Sequence, residues 1–140
     1  MSISVLAISF DAHDAALLAL FWAQALHRTV NDSATEEFAS IAADTDSRLG
    51  AMLMFHTVPE GKAVKNRLHL DLRPADQPAE VARLEALGAR QVSIGQGDVS
   101  WVVMADPDGN EFDVLRPLTL DELPPGHDAL GRRITAGARP

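Results

Sequence analysis

The chain has 140 residues and a formal net charge of −8, with 46% hydrophobic and 23% charged residues and no cysteine. That length and composition suit one ordinary globular domain, large enough to bury a core without covalent staples. The acidic balance argues against binding a phosphate backbone, the missing thiols exclude disulfides and thiolate metal sites, and no apolar run reaches the ~20 residues of a membrane span.

Residues 3–10, ISVLAISF, are rich in β-branched and apolar types and read as a strand, with Leu6, Ile8 and Phe10 on one face. Asp14 is a good N-cap for AALLALFWAQAL. In that helix Leu17, Phe21 and Ala25 recur at helical spacing, as do Leu18, Trp22 and Leu26, so a wide face is expected to be buried. His27, at its end, would complement the helix dipole. After the turn-like NDSATEE, FASIAAD and AMLMFHTV supply strand candidates separated by the polar DTDSR. Residues 59–66, PEGKAVKN, form a polar link, which places the boundary between two halves there.

The second half repeats the order. RLHLDLR, residues 67–73, alternates: Leu68, Leu70 and Leu72 on one face, Arg67, His69, Asp71 and Arg73 on the other. The turn PADQP leads into the helix AEVARLEALG, with Gly88 as terminator. RQVSI, SWVVMAD and NEFDVLR read as strands, the last two joined by the turn Asp106-Pro107-Asp108-Gly109, where Gly109 is expected at positive φ. The first strand and helix of each half lie about 63 residues apart, the mark of a duplicated half and not of a solenoid. The expected fold is therefore α+β, two βαβββ modules at about 1–60 and 61–118, followed by an extension at 119–140 that frays, closing in TAGARP.

Several segments carry a family resemblance. KNRLHLDLR, a helix ending LEALGAR, and WVVMADPDGNEFDVLRP together resemble the glyoxalase/bleomycin-resistance/dioxygenase (vicinal oxygen chelate) superfamily. More narrowly, with DAHDAALLALFW and MFHTVPEGKAVKNR, the chain is similar to glyoxalase-like domains found mainly in actinobacteria and their relatives, over roughly residues 3–117. The resemblance implies modules paired into one curved mixed sheet, helices on its convex side and a concave cavity. In metal-dependent members one divalent ion sits there as a Lewis acid for a substrate with two neighbouring oxygens. Other members bind a small molecule without metal.

Carried across position by position, the resemblance implies metal ligands at His69, Asp113 and His56, while the position on the first strand is Ala7, which cannot ligate. Alternation independently turns His69 away from the leucine face, and turns Asp113, with Glu111 and Leu115, away from Phe112 and Val114. Two imidazoles and a carboxylate would suit Fe, Mn, Ni or Zn and leave coordination positions open. Without a metal, His69 and Asp113 would instead form a hydrogen-bonded pair. Asp71 would orient His69 or a ligand, Trp101 would stack on the ligand or fill the core, and Met54 would give the cavity a soft lining.

Three functions stay open. The first is a lyase, isomerase or dioxygenase acting on a small oxygenated metabolite through one divalent metal ion. The second is a metal-free protein that binds a drug or metabolite, as bleomycin-resistance proteins do. The third is an association domain with a vestigial cavity, which the inward-facing polar residues disfavour. The expected partner is a small molecule, with no nucleic acid and no membrane. An exposed sheet edge is compatible with a homodimer. The start of the chain lacks the basic-then-apolar order of a secretory signal and the chain lacks cysteine, so the expected compartment is the cytoplasm.

Overall fold

The computed structural model describes residues 2–44 and 50–134. The first half contains β1 (Ala7–Ala12), α1 (Ala15–Leu26), β2 (Phe38–Ile41) and β3 (Met52–Thr57). The second contains β4 (Asp71–Leu72), α2 (Gln77–Ala86), β5 (Arg90–Gln91), β6 (Val102–Ala105) and β7 (Glu111–Val114). A short 3₁₀ turn, Leu120–Glu122, follows. DTDSR lies outside the described residues from position 45, and so does the closing TAGARP.

The two halves share one topology. In the first the strand order is β1-β3-β2, in the second β4-β7-β6-β5. Each half pairs its first strand parallel to its last, and that last strand antiparallel to its hairpin partner. The third strand after the helix, expected in both halves, is reduced in the first to an antiparallel bridge between Val30 and Ile41. Asn31 explains the loss: its amide donates to Ser40 Oγ at 2.5 Å, and the turn-forming Asp32 and Ser33 follow at once. The sheets remain separate, so the two halves do not merge into one continuous ladder.

The helix caps follow the sequence closely. Asp14 accepts from the Leu17 N–H at 2.9 Å and Asp76 from the Ala79 N–H at 3.0 Å, each satisfying an otherwise orphaned donor of the first turn. Asp76 therefore starts α2 inside what the sequence suggested was a turn. His27 ends α1 by adopting a left-handed backbone, φ 54°, with its N–H directed at the Ala23 and Gln24 carbonyls. The sequence placed this residue at the helix end, and the structure adds the backbone reversal it makes there. Gly88, at φ +114°, ends α2 as expected.

Two strand expectations shift. The first strand begins at Ala7, leaving Ile3, Val5 and Leu6 exposed, because only from Ala7 does β3 lie alongside. RLHLDLR forms a regular ladder only at Asp71–Leu72, and Leu68 is exposed where alternation placed it beneath a helix. The chain bends at Arg67–Leu68 as it leaves the polar link, which breaks the alternation there. Leu70 and Leu72 do pack against the core. The tail does not fray as far as Ile134: Arg116 pairs with Glu122 and His127 bridges Arg133.

One core spans both halves. Trp22 and Phe21 on α1 meet Phe112 on β7 at ring distances of 5.1 and 6.3 Å, while Phe10 stacks on Phe55 at 5.1 Å. The Asp106 carboxylate is wholly buried beside this cluster. It accepts from Trp22 Nε1 at 3.0 Å, and from the backbone N–H groups of Asp108 and Asn110 at 3.0 and 2.9 Å. A buried charge survives only when its acceptor sites are filled this way. Burial still pushes the Asp106 carboxyl above its usual pKa, against the pull of those hydrogen bonds.

Trp22→Phe removes one donor and should cost about 1–3 kcal/mol at neutral pH. It also raises the folded-state pKa of Asp106 further. A raised carboxyl pKa contributes stability at low pH that is lost as pH rises through the folded value. The cost of the substitution should therefore be smaller at pH 4 than at pH 7, as measured by denaturant unfolding of both proteins. An equal cost at both pH values would mean that the carboxylate is not the affected group.

Candidate functional site at the junction of the halves

The turn that carries Asp106 also aims β7. Gly109 N–H donates to the Asp106 carbonyl at 2.9 Å and Gly109 sits at φ +91°, which closes a type I turn with a left-handed residue after it. The register then places Asp113 opposite Val103 on one side and Asp71 on the other. Phe112 and Val114 are wholly buried, so Asp113, Glu111 and Leu115 face the other way, as alternation requires.

On that face His69 Nε2 lies 3.3 Å from Asp113 Oδ2 and 3.5 Å from Asp71 Oδ1. One donor atom from each of the three residues falls within 4.8 Å of the others, and no other such group occurs among the described residues. Burial pushes the Asp113 carboxyl up; His69 opposes that shift, while the neighbouring Asp71 adds to it. Two carboxylates held this close repel unless a shared proton or a cation stands between them. The donors, one imidazole nitrogen and carboxylate oxygens, suit Mn, Fe, Ni or Zn ions. Their chemistry fits a divalent ion.

Among the described residues, the first half carries no counterpart to this group. Ser9 precedes its helix cap by five residues, as Asp71 precedes Asp76, and Ala7 stands at the place of His69. Ser9 pairs with Met54 across β1 and β3, as Asp71 pairs with Asp113. The first half thus presents Ala7, Ser9 and Met54 where the second presents His69, Asp71 and Asp113. Ala7 was expected; the last-strand position is Met54, two residues from the expected His56. His56 is exposed, rests on the Phe38 ring at 5.1 Å, and stands outside the His69 group.

His69 lines two cavities. One, of about 540 Å³, separates β1 from residues 66–70 and has Trp22, Phe10 and Phe112 among its walls. The other, of about 290 Å³, is walled by Leu26, Leu53, Leu70 and Leu72, with Arg28 and Asp71 beside them. Met54 and Trp101 line neither, and Trp101 is 37% exposed at the start of β6. Glu111 is held by Lys62 at 2.9 Å and by the Asn66 N–H at 2.9 Å, so the link between halves is tied to β7. Sequence reading missed Asp106 as an anchor. Its signal was an Asp opening a Pro-Asp-Gly turn, where a carboxylate commonly accepts the N–H two residues on.

A family model for the glyoxalase-like domain matches residues 7–115. The chain belongs to that family. Solved structures share the fold of this glyoxalase-like protein at low identity. One described as a possible glyoxalase from Bacillus cereus has TM-score 0.60 and 15% identity, covering 81% of this chain and 99% of its own. A glyoxalase/bleomycin resistance protein/dioxygenase family enzyme from Burkholderia phytofirmans PsJN has TM-score 0.55 and 17% identity, with coverage of 79% and 95%. The bleomycin-binding protein of Streptomyces verticillus, solved with copper(II)-bleomycin, has TM-score 0.53 and 14% identity, with coverage of 84% and 99%. No curated protein sequence matches.

Because Gly109 sets the register that presents Asp113, its substitution is a direct check. Gly109→Val should cost about 1–3 kcal/mol through backbone strain, whereas Gly109→Asn, which tolerates the left-handed region, should cost less. Thermal unfolding of the two variants should separate them; equal stabilities would mean that backbone conformation is not the constraint at this turn.

Proposed function

We propose that this protein binds a small oxygenated metabolite in the cavity between its halves, next to a divalent cation held by His69, Asp71 and Asp113. The observation that carries this reading is the convergence of those three donors, from β7 and the β4 segment, at His69, which itself lines the cavity of about 540 Å³ and, with Asp71, the one of about 290 Å³. Three protein ligands leave coordination positions open to a ligand's oxygens. When bound, the ion would act as a Lewis acid on a carbonyl or enolic oxygen, the chemistry of a lyase, isomerase or dioxygenase. His69 would be oriented by its carboxylate neighbours, and the apolar walls would exclude water from the ligand.

A second reading is supported by the same distances. At 3.3 and 3.5 Å from two carboxylates, the His69 imidazole already has polar partners in the protein, and the cavity would then bind its ligand without metal. We place the functional domain at 1–118, with 119–140 as an extension. We assign the protein to the cytoplasm, with no nucleic acid or membrane partner. The open edge of β1 supports a homodimer. No helix among the described residues is long and apolar enough to cross a membrane.

Metal titration decides between the two readings. Protein stripped with chelator should gain thermal stability on adding Mn(II), Ni(II) or Zn(II), since a ligand at 100 times its Kd adds about 2.7 kcal/mol. His69→Ala should abolish the shift and Asp71→Asn should weaken it, while His56→Ala leaves it intact. No shift with any of the three ions would select the metal-free reading. Loss of the shift in His56→Ala would restore His56 to the ligand set.

A further inference from the structure

Besides Glu111, which Lys62 holds, the larger cavity carries two charges that the proposed metal group does not use. Asp11, at the end of β1, and Arg67, on the segment leading to β4, both line it, and both also line the adjoining cavity of about 460 Å³ above the link. Asp11 comes from the first half and Arg67 from the second. Neither has a hydrogen-bond or ion-pair partner among the described residues, and they do not pair with each other. Their neighbours differ: Lys62 is held by Glu111, and Asp108 accepts from the His13 N–H at 2.8 Å. The same cavity is lined by the apolar Ile8, Phe10, Trp22, Leu70 and Phe112, and by the polar Ser9, Asn66 and Asn110.

A carboxylate and a guanidinium that line one cavity with several apolar residues, each without a partner among the described residues, match a molecule that carries both charges and an apolar group. A planar guanidinium is suited to a carboxylate, and a lone carboxylate to an ammonium. We propose that this cavity takes a zwitterionic, amino-acid-like small molecule. Arg67 receives its carboxylate, Asp11 receives its ammonium, and the apolar walls take its side group. His69 lies two residues from Arg67 on the same wall, so the ligand sits beside the His69–Asp71–Asp113 group. The assignment deepens the reading of the cavity as a small-molecule site and rests on it, but does not require that a metal be bound.

The test is isothermal titration of the whole chain with L-phenylalanine, L-tyrosine, L-leucine and L-methionine, and with two one-charge analogues, 3-phenylpropionate and phenethylamine. At least one amino acid should bind, and L-phenylalanine should bind about tenfold or more tightly than either analogue, the effect of one charge-assisted hydrogen bond. Asp11→Asn should erase its advantage over 3-phenylpropionate, and Arg67→Gln its advantage over phenethylamine. Both residues are exposed, and circular dichroism should show the variants folded. The proposal is overturned if no amino acid binds at millimolar concentration, if the three phenyl compounds bind alike, or if the variants leave these preferences unchanged. The Mn(II) shift measured on the same samples reports separately on the metal group, so failure of one does not imply failure of the other.

Discussion

The buried carboxylate of Asp106 is the constraint on which the rest of the molecule depends. It sits in the second half but is satisfied by a donor from the first, the indole N–H of Trp22, and by the backbone of its own turn. An ionised carboxylate in an apolar interior costs several kcal/mol unless its acceptor sites are filled. Trp22 must therefore stand over the β6–β7 turn, which brings α1 across the junction and lets Phe21 and Trp22 pack on Phe112. The polar contact sets position; the aromatic burial around it contributes the larger stabilisation.

The same turn links stability to the site. Asp106 accepts from backbone N–H groups that would otherwise point into the hairpin, and Gly109 supplies the left-handed residue that returns the chain as β7. Phe112 and Val114 are pulled into the core, and alternation then leaves Asp113 facing His69 and Asp71. A fault in the turn should therefore reach the site through register before it acts through any direct contact.

The duplicated halves have diverged in chemistry and kept their geometry. Caps, parallel first-to-last strand pairs and hairpins correspond, yet one half presents His69, Asp71 and Asp113 and the other Ala7, Ser9 and Met54. The polar group reaches the larger cavity through His69. The first half contributes apolar walls and the single free carboxylate of Asp11. The sheets stay unjoined, and the space between β1 and residues 66–70 is the larger cavity that His69 lines.

Much of this was legible in the chain itself, because local chemistry dictates it. Asp14 caps α1, Gly88 and Gly109 take positive φ, and the alternation around Phe112 turns Asp113 out of the core. The duplicated order of elements and the motifs around His69 were enough to place the family. Other features depend on which segments meet. The first-half counterpart of Asp113 is Met54 and not His56, because the pairing of β1 with β3 sets the register, and that pairing joins residues more than forty positions apart. The exposure of Leu68 follows from a bend after the link, which overrides the alternation of its sequence. The Trp22–Asp106 bond, and the shared cavity lined by Asp11 and Arg67, bring together residues from different halves. Periodicity and capping act over a few residues and can be read directly; a buried ion's partners and a cavity's opposing walls exist only once distant segments have packed.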